Sequence, residues 1–129
     1  MSAPAINTVT WFEVASDDPD GAQRFYGELF GWDFVADPDL RSAGMDYRLI
    51  RYQGGEAFKG AILGTEGDRP NHAVFVVLVA DVSATCEQVE RLGGKVVTKV
   101  VGNSSGPDFA YLQDISGNVF SVFAPRPAN

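Results

Sequence analysis

Histidine and cysteine are almost missing from this chain of 129 residues, which has one of each, His72 and Cys86. A single cysteine excludes an intramolecular disulfide and suits a reducing compartment, so a cytoplasmic location is expected. Cys86 falls inside a helical pattern, where a small buried hydrophobe is the expected role rather than a nucleophile. One histidine and no elbow sequence leave no Ser–His–Asp arrangement to argue. No apolar run approaches the ~20 residues that span a bilayer. The start, Met-Ser-Ala-Pro-Ala-Ile-Asn, lacks the basic-then-apolar order of a signal peptide. Basic residues are few as well: ten Lys and Arg stand scattered against 17 Asp and Glu, for a net charge of −7. Phosphate backbones call for clustered cations, so neither nucleic acid nor membrane is expected as a partner. The pairs Gly54-Gly55 and Gly93-Gly94 have no phosphate-loop spacing and read as turns.

What the chain does have is 45% hydrophobic and 12% aromatic residues in a length typical of one domain. The stretch Asp17–Phe34 organises it. Asp17, Asp18 and Asp20 around Pro19 suit the positive end of a helix, and Ala22, Phe25, Tyr26, Leu29 and Phe30 recur at helical spacing. Gly31 then supplies the stop. Phe25, Phe30 and Trp32 are assigned to the core between helix and sheet. Strands are expected over 7–15, 32–36, 45–53 and 57–63, with a polar loop from Asp37 to Gly44. Alternation places Val9, Trp11 and Glu13 on one face of the first strand and Thr10, Phe12 and Val14 on the other.

The second half repeats this order. A strand over 72–79, a helix over 82–92 and a strand over 95–101 follow one another, then a loop over 102–108 and a hairpin of 109–113 with 119–123. Phe12 and Phe75, Val14 and Val77, Asp18 and Asp81, Leu29 and Leu92, and Gly31 and Gly94 each lie 63 residues apart. Two equivalent modules are therefore expected.

The run Phe-Tyr-x-x-Leu-Phe-Gly-Trp after an Asp-Asp-Pro turn resembles the vicinal oxygen chelate superfamily, which includes glyoxalase I, extradiol dioxygenases and bleomycin-resistance proteins. The turn Asp114-Ile115-Ser116-Gly117-Asn118 is similar to that family's Asp-Pro-x-Gly-Asn turn, with Ile115 where proline is usual. The resemblance covers about Val9 to Phe123. It implies an α+β fold of two βαβββ modules in one chain (7–64 and 72–124, joined by a linker over 65–71), forming a cup-shaped mixed sheet. It also implies a homodimer, which would cover exposed sheet edges.

Such families commonly hold a divalent metal through His, Glu or Gln side chains from strands of both modules. Here those positions fall at Val9 or Trp11, near Gly60 or Ala61, at Val74 or His72, and at Ser121. The usual site looks lost, so no cofactor is expected. If a divalent metal binds at all, Glu13 and His72 are the ligands to consider. Strand parity can bring these two together as base and orienter, while a partly exposed histidine at a strand start is the plainer reading. Glu13 is the candidate catalytic residue. Trp11, Glu13, Tyr47, Phe58, His72, Phe109, Tyr111 and Ser121 are the candidate ligand contacts, because concave aromatic surfaces with few polar groups bind organic molecules.

Two functions stay open. One is a binding protein, similar to the bleomycin-resistance branch, that holds a small organic molecule in an aromatic cup without a metal. The other is a lyase, isomerase or dioxygenase of the glyoxalase type that uses Glu13.

Overall fold

Eight strands and three helices follow the order expected of two β-α-β-β-β modules, in a computed structural model that describes residues 5–102 and 106–125. The expected loop at 102–108 falls partly outside the described residues. The chain divides into two units: one holds Trp11–Ala73, and the other holds Val74 onward together with the residues up to Thr10.

The first module runs β1 (Thr8–Ser16), α1 (Pro19–Phe30), β2 (Asp33–Ala36), α2 (Pro38–Ser42), β3 (Tyr47–Arg51) and β4 (Phe58–Gly64). Its strands lie in the order β2-β3-β4-β1, with β1 and β4 parallel and the other pairs antiparallel. The parallel pair follows from topology, since the chain must cross back to lay β4 beside β1. Asp18 caps α1 by accepting from the Gly21 N–H at 3.1 Å. Gly31 ends the helix in the left-handed region at φ 73°, and its N–H bonds the Gly27 carbonyl at 2.8 Å.

The segment Asp37–Gly44, expected as a loop, contains the short helix α2. Asp37 accepts from the N–H groups of Asp39 and Leu40 there, and Pro38 takes the first helical position.

The helical stripe needs a second correction. No residue of α1 is buried, and Phe25 (60% exposed), Leu29 (56%) and Phe30 (54%) turn outward. The residues that approach the sheet are Pro19, Ala22, Gln23, Tyr26 and Gly27. Trp32, by contrast, does anchor the helix. Its ring meets Phe12 at 5.6 Å, stacks on Tyr26 at 5.5 Å, and also touches Phe30 and Tyr52. Four aromatic neighbours make this the main helix–sheet contact of the unit.

The second module runs β5 (His72–Leu78), α3 (Val82–Arg91), β6 (Lys95–Val100), β7 (Asp108–Gln113) and β8 (Val119–Ala124). Its strands lie in the order β5-β8-β7-β6, again with the first and last strands of the module parallel. Asp81 caps α3 as Asp18 caps α1. Here the helix buries a true apolar face. Val82 and Cys86 join Val79, Ala110, Leu112, Val122 and Ala124 in one core cluster. Cys86 is buried and desolvation raises its thiol pKa, which fits a packing role.

Packing is close where β4 lies alongside β1. A methyl group on Gly60 would come within 2.6 Å of both the Phe12 ring and the Phe12 carbonyl. Gly60→Ala is therefore expected to cost about 1–3 kcal/mol by overpacking, read as a lower urea midpoint. An unchanged midpoint would show that Phe12 can turn aside without loss.

Candidate functional site

Each sheet has a helix-covered face and a second face, and the candidate side chains sort between them. In the first unit Phe12 points to the α1 side, where it meets Trp32. Trp11, Glu13 and Ala15 therefore point to the opposite side. Residues paired across strands share a face, so Ala61 (opposite Glu13), Leu63 (opposite Ala15), Leu49 (opposite Ala61) and Tyr47 (opposite Leu63) join them. Phe58 joins them too, because the register shift after Ile50 sets it opposite Arg51, which shares the face of Leu49 and Tyr47 and whose guanidinium lies 5.6 Å from the Phe58 ring centre. Trp11, Glu13, Tyr47 and Phe58 thus share the open face.

Glu13 is 6% exposed in the middle of a strand, paired with the fully buried Ala61. A carboxylate in such surroundings must find donors. His72 supplies one, with Nε2 2.9 Å from Glu13 Oε2. These residues are 59 positions apart, and a polar clamp brings them together. The Asp17 N–H donates to Asn71 Oδ1 at 3.0 Å, and Asn71 Nδ2 donates back to Asp17 Oδ1 at 3.3 Å. The residue before His72 is thereby tied to the end of β1.

Tyr47 lies on the same face, near enough for the Glu13 charge to act on it, and its oxygen accepts the Trp11 indole N–H at 3.1 Å. Burial, and after it the negative charge of Glu13, push the Tyr47 phenol well above the ordinary range. The sequence showed the parity of Trp11 and Glu13. It carried no signal for the Tyr47 contact or for the Asn71 clamp.

In the second unit Phe109, Tyr111 and Ser121 share the face opposite α3, since Ala110 and Val122, their neighbours in sequence, belong to the α3-side core. Phe109 and Tyr111 meet edge to face at 5.9 Å. Ser121 is buried, and its hydroxyl donates to the Ala110 carbonyl at 3.0 Å.

The donor set does not fit the superfamily's usual divalent ion. Val9, Trp11, Gly60, Ala61 and Val74 offer no ligand atoms on their side chains, and the Ser121 hydroxyl is engaged with backbone. Among the described residues no three His, Cys, Asp or Glu side chains lie close enough to share an ion. Glu13 and His72 are two donors, and they bond each other. Structural and catalytic zinc sites, for comparison, draw on at least three protein ligands.

A separate open hollow of about 450 Å³ lies between α1 and β2, lined by Asp20, Arg24, Glu28, Trp32 and Asp33 among others. It is on the helix side of the sheet, away from Glu13. Its rim is solvated, and Asp20 is engaged by Arg48 at 2.9 Å.

Comparison with known proteins agrees with this architecture. Residues 11–123 match the model of the glyoxalase-like domain, and the chain belongs to that family, within the vicinal oxygen chelate superfamily. Among curated relatives, "Putative glyoxylase CFP32" of Mycobacterium tuberculosis is 31% identical over 121 residues, which cover 93% of this chain and 45% of that protein. The chain thus spans less than half the length of that relative. A glyoxylase-like domain-containing protein of Didymella fabae is 26% identical over 117 residues, covering 88% of this chain and 91% of that one. Among solved structures, methylmalonyl-CoA epimerase from Mycobacterium tuberculosis aligns with a TM-score of 0.62 at 19% identity, over 98% of this chain and 94% of that one. At that identity the likeness concerns the fold. Among the described residues no helix is long and apolar enough to cross a membrane.

The raised Tyr47 phenol has a consequence for stability. Below the ordinary phenol range both folded and unfolded states keep this proton. Above that range the unfolded chain releases it while the folded chain holds it, so stability falls as pH rises from the ordinary phenol pKa toward the raised folded value. Urea titrations at alkaline pH are expected to show a steeper loss for the wild type than for Tyr47→Phe. Parallel losses would mean that Tyr47 ionises as readily in the folded chain as in the unfolded one.

Proposed function

We propose that this chain binds a small organic molecule on the open face of its first unit, against Trp11, Glu13, Tyr47 and His72, without the divalent ion usual in its superfamily. The observation that supports this reading is the Glu13 carboxylate, sheltered from water, in contact with His72 and beside the buried Ala61. Aromatic rings supply contact area, and one polar group fixes orientation. A buried carboxylate favours a ligand bearing N–H or O–H donors or a positive charge and disfavours an anion. The net charge of −7 acts in the same direction.

A second reading, catalysis by a lyase, isomerase or dioxygenase of the glyoxalase type, is favoured by the His72 contact. A carboxylate oriented by a histidine is poised to take a proton from a bound substrate.

Both readings are tested by thermal-shift screening with uncharged and cationic aromatic compounds, on wild type and Glu13→Gln, before and after dialysis against EDTA. A stabilising compound is expected to survive chelation and to bind Glu13→Gln about tenfold more weakly, the scale of one charge-assisted hydrogen bond. Loss of binding on chelation would overturn the metal-free reading, and equal binding by Glu13→Gln would place the ligand elsewhere. Turnover of a bound compound by wild type and not by Glu13→Gln would put the enzyme reading ahead.

The binding unit is further proposed to pair with a second copy of this chain through the outward side of α1. Phe25, Leu29 and Phe30 form an exposed apolar patch there. The positions 63 residues later in α3 and its end, Gln88, Leu92 and Gly93, carry no aromatic ring. Arg24 and Glu28 flank the patch one turn apart, so a two-fold pairing of α1 with itself sets opposite charges against each other. Sedimentation velocity is expected to show a dimer for the wild type and a monomer for Leu29→Asp. A wild-type monomer at micromolar concentration would reject this contact.

A further inference from the structure

The open face of the first unit carries a guanidinium as well as a carboxylate. Arg51 closes β3 on the face of Leu49 and Tyr47, opposite Phe58, with its guanidinium over the Phe58 ring at 5.6 Å from the centre. A ring beneath a guanidinium steadies its plane by cation–π attraction and leaves the N–H edge of the fork open. Asp33, the β2 partner of Arg51, has its Oδ2 3.9 Å from Arg51 Nη2. That is an ion pair, but it is longer than a hydrogen bond. Among the described residues no group accepts a hydrogen bond from the Arg51 guanidinium. Arg48, on the other face of the same strand, is the contrast. Its nitrogens bond Asp46 at 2.9 and 3.0 Å, Gln23 at 3.0 Å and Asp20 at 2.9 Å. The Arg51 side chain is 35% exposed, so a ligand can reach donors that the fold leaves unused.

The sheet sets the two charges apart. Glu13 lies opposite Ala61, and Ala61 lies opposite Leu49, two residues before Arg51. Two strand spacings and two residues along β3 place the Glu13 and Arg51 backbones about 12 Å from each other. One aromatic ring with a polar group at either end fits that span.

We propose that Arg51, seated on Phe58, is the anion-binding residue of the open face, and that the ligand is a small aromatic acid whose carboxylate takes the guanidinium fork while its N–H or O–H donors turn to Glu13. A carboxylate matches the fork with two parallel N–H···O bonds, which Asp33 at 3.9 Å does not make. Glu13 repels an acid group placed close to it, so the two charges together fix which end of the ligand goes where. Phe58 contributes by holding the fork in place before the ligand arrives.

This inference rests on the binding reading for the place of the ligand and adds an acid group to it. The probes are benzoate and 4-(aminomethyl)benzoate, with affinities read from the backbone signals of β3 in nitrogen-15 NMR. Benzoate is expected to move the Arg51 Nε–H signal, which Arg51→Gln identifies by its loss. It is expected to bind Arg51→Gln about tenfold more weakly than wild type, the scale of a charge-assisted pair. Arg91→Gln removes the same charge from α3 and should bind benzoate as wild type does. Glu13→Gln should bind it at least as well as wild type, which separates this arm from the Glu13 contact. 4-(Aminomethyl)benzoate is expected to bind wild type more tightly than benzoate and to lose that advantage in Glu13→Gln. Benzoate binding through Arg51 without that advantage would support the anion site and reject the role of Glu13. Benzoate that leaves the Arg51 signal unmoved, or that binds Arg51→Gln as well as wild type, would overturn the proposal. Equal weakening in Arg91→Gln would overturn it too, since net charge alone would then be the cause.

Discussion

A carboxylate placed in the interior of a strand has to be met by donors, and most of the first unit's open face is arranged around meeting that of Glu13. The requirement is local and severe. An unpartnered buried charge carries an electrostatic cost of several kcal/mol, far above what one side chain's packing returns. Tyr47 comes to the same face from β3, two strands away from β1, through the register that sets Tyr47 opposite Leu63 and Leu63 opposite Ala15. His72 arrives from the first position of β5, at the far end of the unit, because Asn71 is held to Asp17. The fold positions the site through strand register and one surface clamp.

The order of elements could be read from the chain because its signals are local. Asp before the helix, glycine after it and a 63-residue recurrence all survive as observed caps and strands. Burial along α1 could not be read in the same way. Its apolar residues cover more of the helix circumference than one sheet can shelter, and periodicity marks the stripe without saying which edge of it meets the sheet. Ala22 and Tyr26 turn inward, whereas Phe25, Leu29 and Phe30 turn outward. The offset that relates the halves holds the answer after the fact: Pro19, Gln23 and Tyr26 correspond to Val82, Cys86 and Val89, and these are the positions where α3 meets its own core. The helix α2 was missed for a different reason. Asp37-Pro38 is the same opening as Asp18-Pro19, but a five-residue helix has no apolar period to reveal it.

The candidate site was legible in part, and the division follows sequence distance. Trp11 and Glu13 share a strand, so alternation alone places them together. Tyr47 and Phe58 both come to the open face, although alternation along β4 alone would put Phe58 with Gly60 on the other. Which face a residue takes depends on the pairing between strands, and no feature of one strand announces that. A bulge between Ile50 and Arg51 on the strand opposite Phe58 shifts the pairing further. The hydrogen-bond partner of Glu13 at position 72 was visible as a possibility because His72 is the chain's one imidazole. The clamp that delivers it rests on two exposed polar residues, which look the same as any other surface pair.

The two modules carry the same ladder and different chemistry. Glu13 lies opposite Ala61 where β1 meets β4, and the residue 63 positions later, Val76, lies opposite Ser121 where β5 meets β8. All four are buried. One central pair thus holds a carboxylate beside a methyl group, and the other a valine beside a hydroxyl that is already bonded to the Ala110 carbonyl. A metal-binding arrangement distributed over both modules would need ligand atoms in each pair. Here ionisable chemistry is concentrated in the first pair alone, and the second has the character of packing. That asymmetry is the physical reason for assigning ligand recognition to the first module.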